Sequence, residues 1–370
     1  MKIAVFGNYP QWLIRFRGPM LKRMAEKGHS VYACAPSASE DVNAQLADIG
    51  VRYAHIPLRR ANLNPLNNFK TFICFYQFLL KIKPEYLFVY TVKPVILGSL
   101  AAKLAGTDKI VSMIEGLGFV FTELEESKIN WLRVFISFFY RLSLKCSSKI
   151  FFLNQDDYDY FLKSKLIDKN QGVVLDGIGV DLEYYYPVSL PEQISFVMIA
   201  RLIKEKGVCE YVRAAEIIKQ EFPWVKFTLV GEVDEHPSSL SSLELEQLLV
   251  KNCVNYLGRL EDIRPAIRAA SVYVLPSYRE GLSRTIQEAM AMARPIITTE
   301  APGCRQTVIN GVNGYKVPVR NVQRLAEAMK KFIINPELAG EMGHQSRTIA
   351  EARFNEDDIT DKIMSVMELE

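Results

Sequence analysis

The chain has 370 residues, 49% hydrophobic and 24% charged, which suits two packed domains and excludes a disordered or fibrous protein. Its net charge of +3 is unevenly divided, with +8 in residues 1–180 and −5 in the remainder, so a polyanionic partner is expected for the first half. Six scattered cysteines with no CxxC pair argue against a zinc ribbon or a disulfide framework and for a reducing, cytoplasmic compartment.

The opening apolar run, residues 3–6, is too short for a signal peptide and reads as a buried first strand. Further short apolar runs follow at 30–34, 51–56, 86–90, 109–114 and 149–153, separated by helical patterns such as 20–27, 69–81 and 129–145. This alternation predicts an α/β fold with a parallel, doubly wound sheet. Residues 184–193, with Pro187 and Pro191, read as a linker. The alternation then restarts at 194–199, 226–230, 254–257, 272–275, 295–299 and 314–316. The expected architecture is therefore two Rossmann-like domains, 1–187 and 188–355, with a final helix in 356–370 as a candidate to cross back onto the first. No run reaches the roughly 18 apolar residues of a spanning helix, so a chain that does not cross a membrane is expected. Segments 69–83 and 129–149 nevertheless combine many aromatic side chains with lysine and arginine. Helices of that kind can lie in a membrane interface, rings among acyl chains and cations at anionic headgroups, or can be core helices with snorkelling lysines.

Several chemistries lack support. The four histidines show no paired-ligand spacing, and no GxSxG elbow or P-loop occurs. The first strand leads into Gly7-Asn8-Tyr9-Pro10, which is not the dinucleotide fingerprint. No cofactor, no metal and no nucleic-acid partner are expected. The string Asp157-Tyr158-Asp159 follows Asn154 at the head of a helix, where helix capping outweighs metal binding as its explanation.

The informative cluster lies in the second half. The run 194–199 ends in Ala200-Arg201, and Lys206-Gly207 follows, placing two cations at the carboxyl end of a parallel strand, where open α/β sheets bind ligands. Arginine forks onto phosphate and lysine adds a point charge, which together suit a diphosphate. The run 272–275 leads into Pro276-Ser277-Tyr278-Arg279-Glu280-Gly281-Leu282-Ser283, then a helix carrying Glu288. The Gly281 turn beside a helix N-terminus is a natural anion site, and the two carboxylates can accept from sugar hydroxyls. The competing structural explanation is that Arg201 pairs with Glu280 or Glu288.

The spacing Arg201…Lys206-Gly207, Glu280…Glu288, Gly303 in a Pro-Gly-Cys turn and Asn310-Gly311-Val312-Asn313-Gly314 resembles the family 4 glycosyltransferases of the GT-B fold over the whole chain. The resemblance implies a retaining transferase without metal, its donor on the second domain and its acceptor on the first. It implies that Arg201 and Lys206 hold the donor diphosphate and that Glu280 bonds hexose hydroxyls; these three form the expected catalytic set. It also implies that Gly281, Leu282 and Ser283 support the phosphates, Glu288 holds the ribose, and Gly258-Arg259-Leu260 lies by a uracil base. Within the family, Thr91-Val92-Lys93-Pro94, Glu115-Gly116-Leu117-Gly118-Phe119-Val120-Phe121 and Asp234-Glu235-His236-Pro237-Ser238 resemble bacterial enzymes extending lipid-linked glycans for O-antigen, capsule or N-glycan assembly. The chain is particularly similar to those adding α-linked N-acetylgalactosamine to a sugar on undecaprenyl diphosphate. The implied partners are a UDP-sugar, a polyprenyl-diphosphate-linked sugar and the anionic inner face of the cytoplasmic membrane. Arg17, Arg60, Lys93 and Glu115 are the acceptor-side candidates. Two departures stand out: Glu115 replaces a histidine common in relatives, and Gln306 replaces the glutamate of a usual Gly-Cys-Arg-Glu string. Alternatives left open are a nucleotide-sugar epimerase of similar fold and a non-catalytic sugar- or membrane-binding protein.

Overall fold

The computed structural model describes residues 1–59, 64–117, 130–233 and 238–369, with the backbone alone over 130–135. It divides into two compact units, Met1–Ile178 together with Asp357–Glu370, and Gly179–Glu356.

The first unit carries strands β1 (Lys2–Phe6), β2 (Ser30–Ala35), β3 (Arg52–His55), β4 (Tyr86–Tyr90), β5 (Lys109–Ile114), β6 (Lys149–Phe152) and β7 (Gly172–Val174). They form a parallel sheet in the order β3-β2-β1-β4-β5-β6-β7. All five residues of β4 are buried, as a strand covered by helices on both faces requires. Helix Pro65–Ile82 starts where the Asn64 side chain accepts from Leu66 N and proline fills the first turn. Its Thr71, Phe75, Leu79 and Ile82 recur at helical spacing and are buried against the sheet. It ends at Lys83, in the left-handed conformation just before Pro84. Burying Phe75 and Leu79 contributes about 2–3 kcal/mol each.

The second unit carries β8 (Ser195–Ile199), β9 (Lys226–Val230), β10 (Asn255–Tyr256), β11 (Val272–Leu275), β12 (Ile296–Thr299) and β13 (Gly314–Val317). These too are parallel, in the order β10-β9-β8-β11-β12-β13. Segment 179–193 goes with this unit because two arginines strap it down. Buried Arg294 donates to the carbonyls of Val188 and Ser189, and Arg347 to those of Leu182 and Tyr185. The last segment is held in the first unit by Arg23 paired with Asp357 and Asp361, by Lys109 with Glu368, and by buried Ile363, Met364, Met367 and Leu369.

Both sheets wind outward in two directions from an inner pair, β1 and β4 in one and β8 and β11 in the other. The crevice beyond the carboxyl ends of such a pair is where open α/β sheets take ligands.

Candidate functional site

In the second unit, Arg201 and Lys206 follow β8 and Glu280 follows β11, so all three leave the carboxyl ends of the inner pair. The two loops are stitched together through Glu205, whose carbonyl accepts from Tyr278 N at 2.8 Å and from Ser277 Oγ at 3.2 Å. Gly207 allows the approach. Its φ is +76°, and a Cβ there would stand 2.2 Å from Pro276 O. Gly303, at φ +75°, does the same on the other side: a Cβ would stand 2.0 Å from Glu280 O.

Lys206 Nζ lies 2.6 and 2.7 Å from the two oxygens of Glu280, both side chains mostly buried. Ser277 Oγ donates to Glu280 Oε1 at 2.6 Å. The sequence expectation had Lys206 on a diphosphate and Glu280 on a hexose, with Arg201 as the alternative structural partner of Glu280 or Glu288. In the structure Lys206 pairs with Glu280, and the Arg201 residue is exposed. A ligand at this site therefore exchanges with a charge-assisted pair rather than meeting two solvated groups.

Glu288 is the most enclosed of the expected donor residues, 1% exposed, with Oε1 accepting from Tyr185 Oη at 3.1 Å and Arg284 Nε at 3.2 Å. Ser283 caps helix Arg284–Ala291 through Ile286 N, and Leu282 is buried beside half-buried Gly281. Gly258 has φ +66° and its carbonyl accepts from Gly231 N at 2.8 Å. Arg259 pairs with Glu232 at 3.2 Å, and Leu260 is half-buried. Gln306 accepts from Gly303 N at 2.8 Å and so braces the turn behind Glu280.

Sequence reasoning missed two supports of this loop. Ser277 lay inside the quoted motif, three residues before Glu280. Tyr278 donates to Glu210 Oε1 at 2.7 Å, and the Arg320 guanidinium stands 4.8 Å from the Tyr278 ring centroid. Burial and the Glu210 contact push the Tyr278 phenol well above its ordinary pKa. The Tyr278 partners lie 68 and 42 positions away in sequence respectively, beyond any local pattern.

In the first unit Arg17 is not a solvated loop cation. It is 2% exposed, paired with Glu115, and stacked 4.7 Å from the Tyr90 ring centroid. Burial pushes the Glu115 carboxyl up and the Arg17 guanidinium pulls it back, burial being the larger influence. Lys93 donates to the Arg59 carbonyl at 2.6 Å, and burial lowers its amine to about 8. Arg60, residues 118–121 and residues 234–237 lie outside the described residues. Asp157 is buried, its backbone N donating to Asn154 Oδ1 at 2.8 Å and its carboxylate accepting from Asn154 Nδ2 at 3.1 Å, the geometry of a cap. Among the described residues no group of three or more His, Cys, Asp or Glu side chains could hold a metal, and no helix is long and apolar enough to cross a membrane.

Helices Pro65–Ile82 and Asn130–Leu144 expose large apolar side chains: Phe69 is 64% exposed and Phe138 60%, with Leu66 and Leu142 also outside. Lys70, Lys81, Arg141 and Lys145 are exposed on the same two helices or at their ends.

Comparison with known proteins gives consistent matches. Residues 193–335 match the family model described as glycosyl transferases group 1, and residues 3–154 that described as glycosyl transferase 4-like. The N,N'-diacetylbacillosaminyl-diphospho-undecaprenol alpha-1,3-N-acetylgalactosaminyltransferase of Campylobacter jejuni is 26% identical over 352 residues, 91% of either chain. The UDP-Gal:alpha-D-GlcNAc-diphosphoundecaprenol alpha-1,3-galactosyltransferase of Escherichia coli is 26% identical over 336 residues, 84% of either. Among solved structures, the sucrose-phosphate synthase of Thermosynechococcus elongatus superimposes with a TM-score of 0.83 at 19% identity, over 100% of this chain and 98% of that one.

Proposed function

We propose, from the premise that this chain belongs to the family 4 glycosyltransferases of the GT-B fold, that it moves an α-linked hexose or N-acetylhexosamine from a UDP-sugar to a sugar on undecaprenyl diphosphate. N-acetylgalactosamine is the proposed sugar, because the Campylobacter relative that transfers it matches along nearly the whole chain. The observation that carries the reading is the Lys206–Glu280–Ser277 cluster at the carboxyl ends of β8 and β11, a cation and a carboxylate held within one hydrogen-bonded set.

A UDP-sugar offers each group a new partner. Its diphosphate takes Lys206 and Arg201, its hexose hydroxyls take Glu280, and the amides of Gly281 and Leu282 with the Ser283-capped helix face the phosphates. Glu288 takes the ribose by exchanging its Tyr185 contact, and the turn at Gly258, Arg259 and Leu260 takes the base. As the anomeric bond breaks, charge gathers on the departing UDP, and Arg201 and Lys206 stabilise it without reorganisation. The acceptor hydroxyl then attacks on the face the diphosphate leaves, passing its proton to a phosphate oxygen, which retains the anomeric configuration.

The acceptor is assigned to the first unit, with Lys93, Glu115, Arg17 and Arg60 on its side. Exposed Leu66, Phe69, Phe138 and Leu142 among cations suit an anionic membrane surface, where a polyprenyl-linked acceptor resides. This agrees with the excess positive charge of residues 1–180. The test is a donor screen against synthetic undecaprenyl-diphosphate N-acetylhexosamines, with the product linkage read by NMR. A β-linked product would refute retention, and donor consumption equal with and without acceptor would refute transfer.

A further inference from the structure

Four polar atoms at the carboxyl ends of β1 and β4 are buried and make no hydrogen bond: Asn8 Oδ1, Arg17 Nε, Tyr90 Oη and Thr91 Oγ1. They belong to one place. Phe6 pairs with Val89 in the sheet, so Gly7 and Tyr90 come next to each other, and a Cβ on Gly7 would stand 2.1 Å from Tyr90 Oη. Asn8 adjoins Gly7, Thr91 adjoins Tyr90, and Arg17 stacks on the Tyr90 ring. Thr91 has φ +66°, a conformation that a β-branched residue keeps only where its surroundings hold it. Buried polar groups are nearly always partnered, so several orphans at the ligand-binding end of a sheet call for a ligand as their explanation.

The chemistry of the cluster selects the ligand. Its cation, Arg17, is neutralised by Glu115, which leaves little positive charge for a phosphate. What remains is two hydroxyls, a carboxamide oxygen and a carboxylate, a set matched to ring hydroxyls. Half-exposed Tyr9 and Trp12, with ring centroids 5.4 Å apart, follow directly and offer the aromatic faces on which the C–H side of a sugar packs. We propose that this cluster is the subsite for the sugar ring of the acceptor, read through its hydroxyls, and not for the acceptor's diphosphate. The proposal rests on the transferase reading and makes it more specific. Segment 7–9, outside strand and helix, lies against Tyr90 and is displaced as the sugar enters. Arg17 acts as a positioning residue: paired with Glu115, it holds the Tyr90 ring from its face.

Tyr90→Phe removes a single oxygen, and Thr91→Val exchanges a hydroxyl for a methyl. Intrinsic tryptophan fluorescence follows the binding of two probes, synthetic undecaprenyl-diphosphate N-acetylglucosamine and undecaprenyl diphosphate without the sugar. Each variant is expected to weaken the sugar-bearing probe about tenfold, or 1.4 kcal/mol, and to leave the bare lipid diphosphate unchanged. Equal weakening of both probes would overturn the proposal, because the cluster would then hold phosphate. No change in either, with a raised melting temperature, would overturn it too, because the orphans would be structural defects relieved by substitution. Failure of the unsubstituted chain to bind UDP would sink the transferase reading instead, and the sugar titration would still be readable.

Discussion

Replacing Lys206 by methionine separates what the Lys206–Glu280 pair does for stability from what it does for catalysis. At 2.6 Å and an effective dielectric of about 20, the gross attraction is about 6 kcal/mol, most of it offset by the desolvation of two mostly buried groups. Lys206→Met leaves Glu280 enclosed, with Ser277 still donating to it, and should cost about 2–3 kcal/mol of stability, somewhat less than a fully buried pair would. Adding Glu280→Gln removes the stranded charge and should recover most of that loss. Turnover should behave differently. Without Lys206 the departing diphosphate loses one preorganised cation, and kcat/KM should fall about 10²–10³-fold, or about 2.7–4 kcal/mol, in the single variant and at least as far in the double, which also loses the Glu280 contact to the hexose. Denaturant melts and initial rates of UDP release on the four members of the cycle measure both quantities. A Lys206→Met enzyme within about threefold of the parent, or a double variant that regains turnover along with stability, would refute the reasoning.

Gly303→Ala forces a Cβ to 2.0 Å from Glu280 O at a left-handed backbone and should cost about 3 kcal/mol, read as a fall of about 6–12 °C in melting temperature with reduced transfer. The Lys93 amine, lowered to about 8 by burial, should acylate with a midpoint near that pH. Because the folded-state pKa lies below the unfolded one, the Lys93 contribution to stability is full above the unfolded pKa and declines as pH falls through about 8. The stability advantage of Lys93→Met over the parent should accordingly shrink as pH rises through this window in denaturant melts. Phe69→Asp with Phe138→Asp should lower co-sedimentation with anionic vesicles by tenfold or more, since each exposed ring contributes about 2 kcal/mol on burial. Unchanged co-sedimentation would remove the membrane from the acceptor side.

Strands were legible wherever a run of apolar residues stood between polar breaks: β4 and β11 match their expected bounds, 86–90 and 272–275. Strand β7 was not, because three residues beginning with Gly172 present no pattern. The motif positions Arg201, Lys206 and Glu280 could be found from spacing, yet their pairing could not. Lys206 reaches Glu280, and that depends on the turn closed by Gly207, not on residue type. Arg17 and Glu115 were each found as acceptor-side candidates, yet their pairing was not legible, since they stand 98 positions apart. The orphaned Tyr90 hydroxyl was invisible for the same reason: a buried tyrosine ending an apolar strand looks like core until its neighbours are known.

The grouping of Asp357–Glu370 with Met1–Ile178 has a consequence for biosynthesis. A ribosome delivers the second unit whole while the first still lacks its closing helix, so the surface around Arg23, which pairs with Asp357 and Asp361, waits uncovered through about half the synthesis. The nascent first unit is thus the aggregation-prone partner, and its maturation is timed by the emergence of residues 357–369 rather than by its own early arrival.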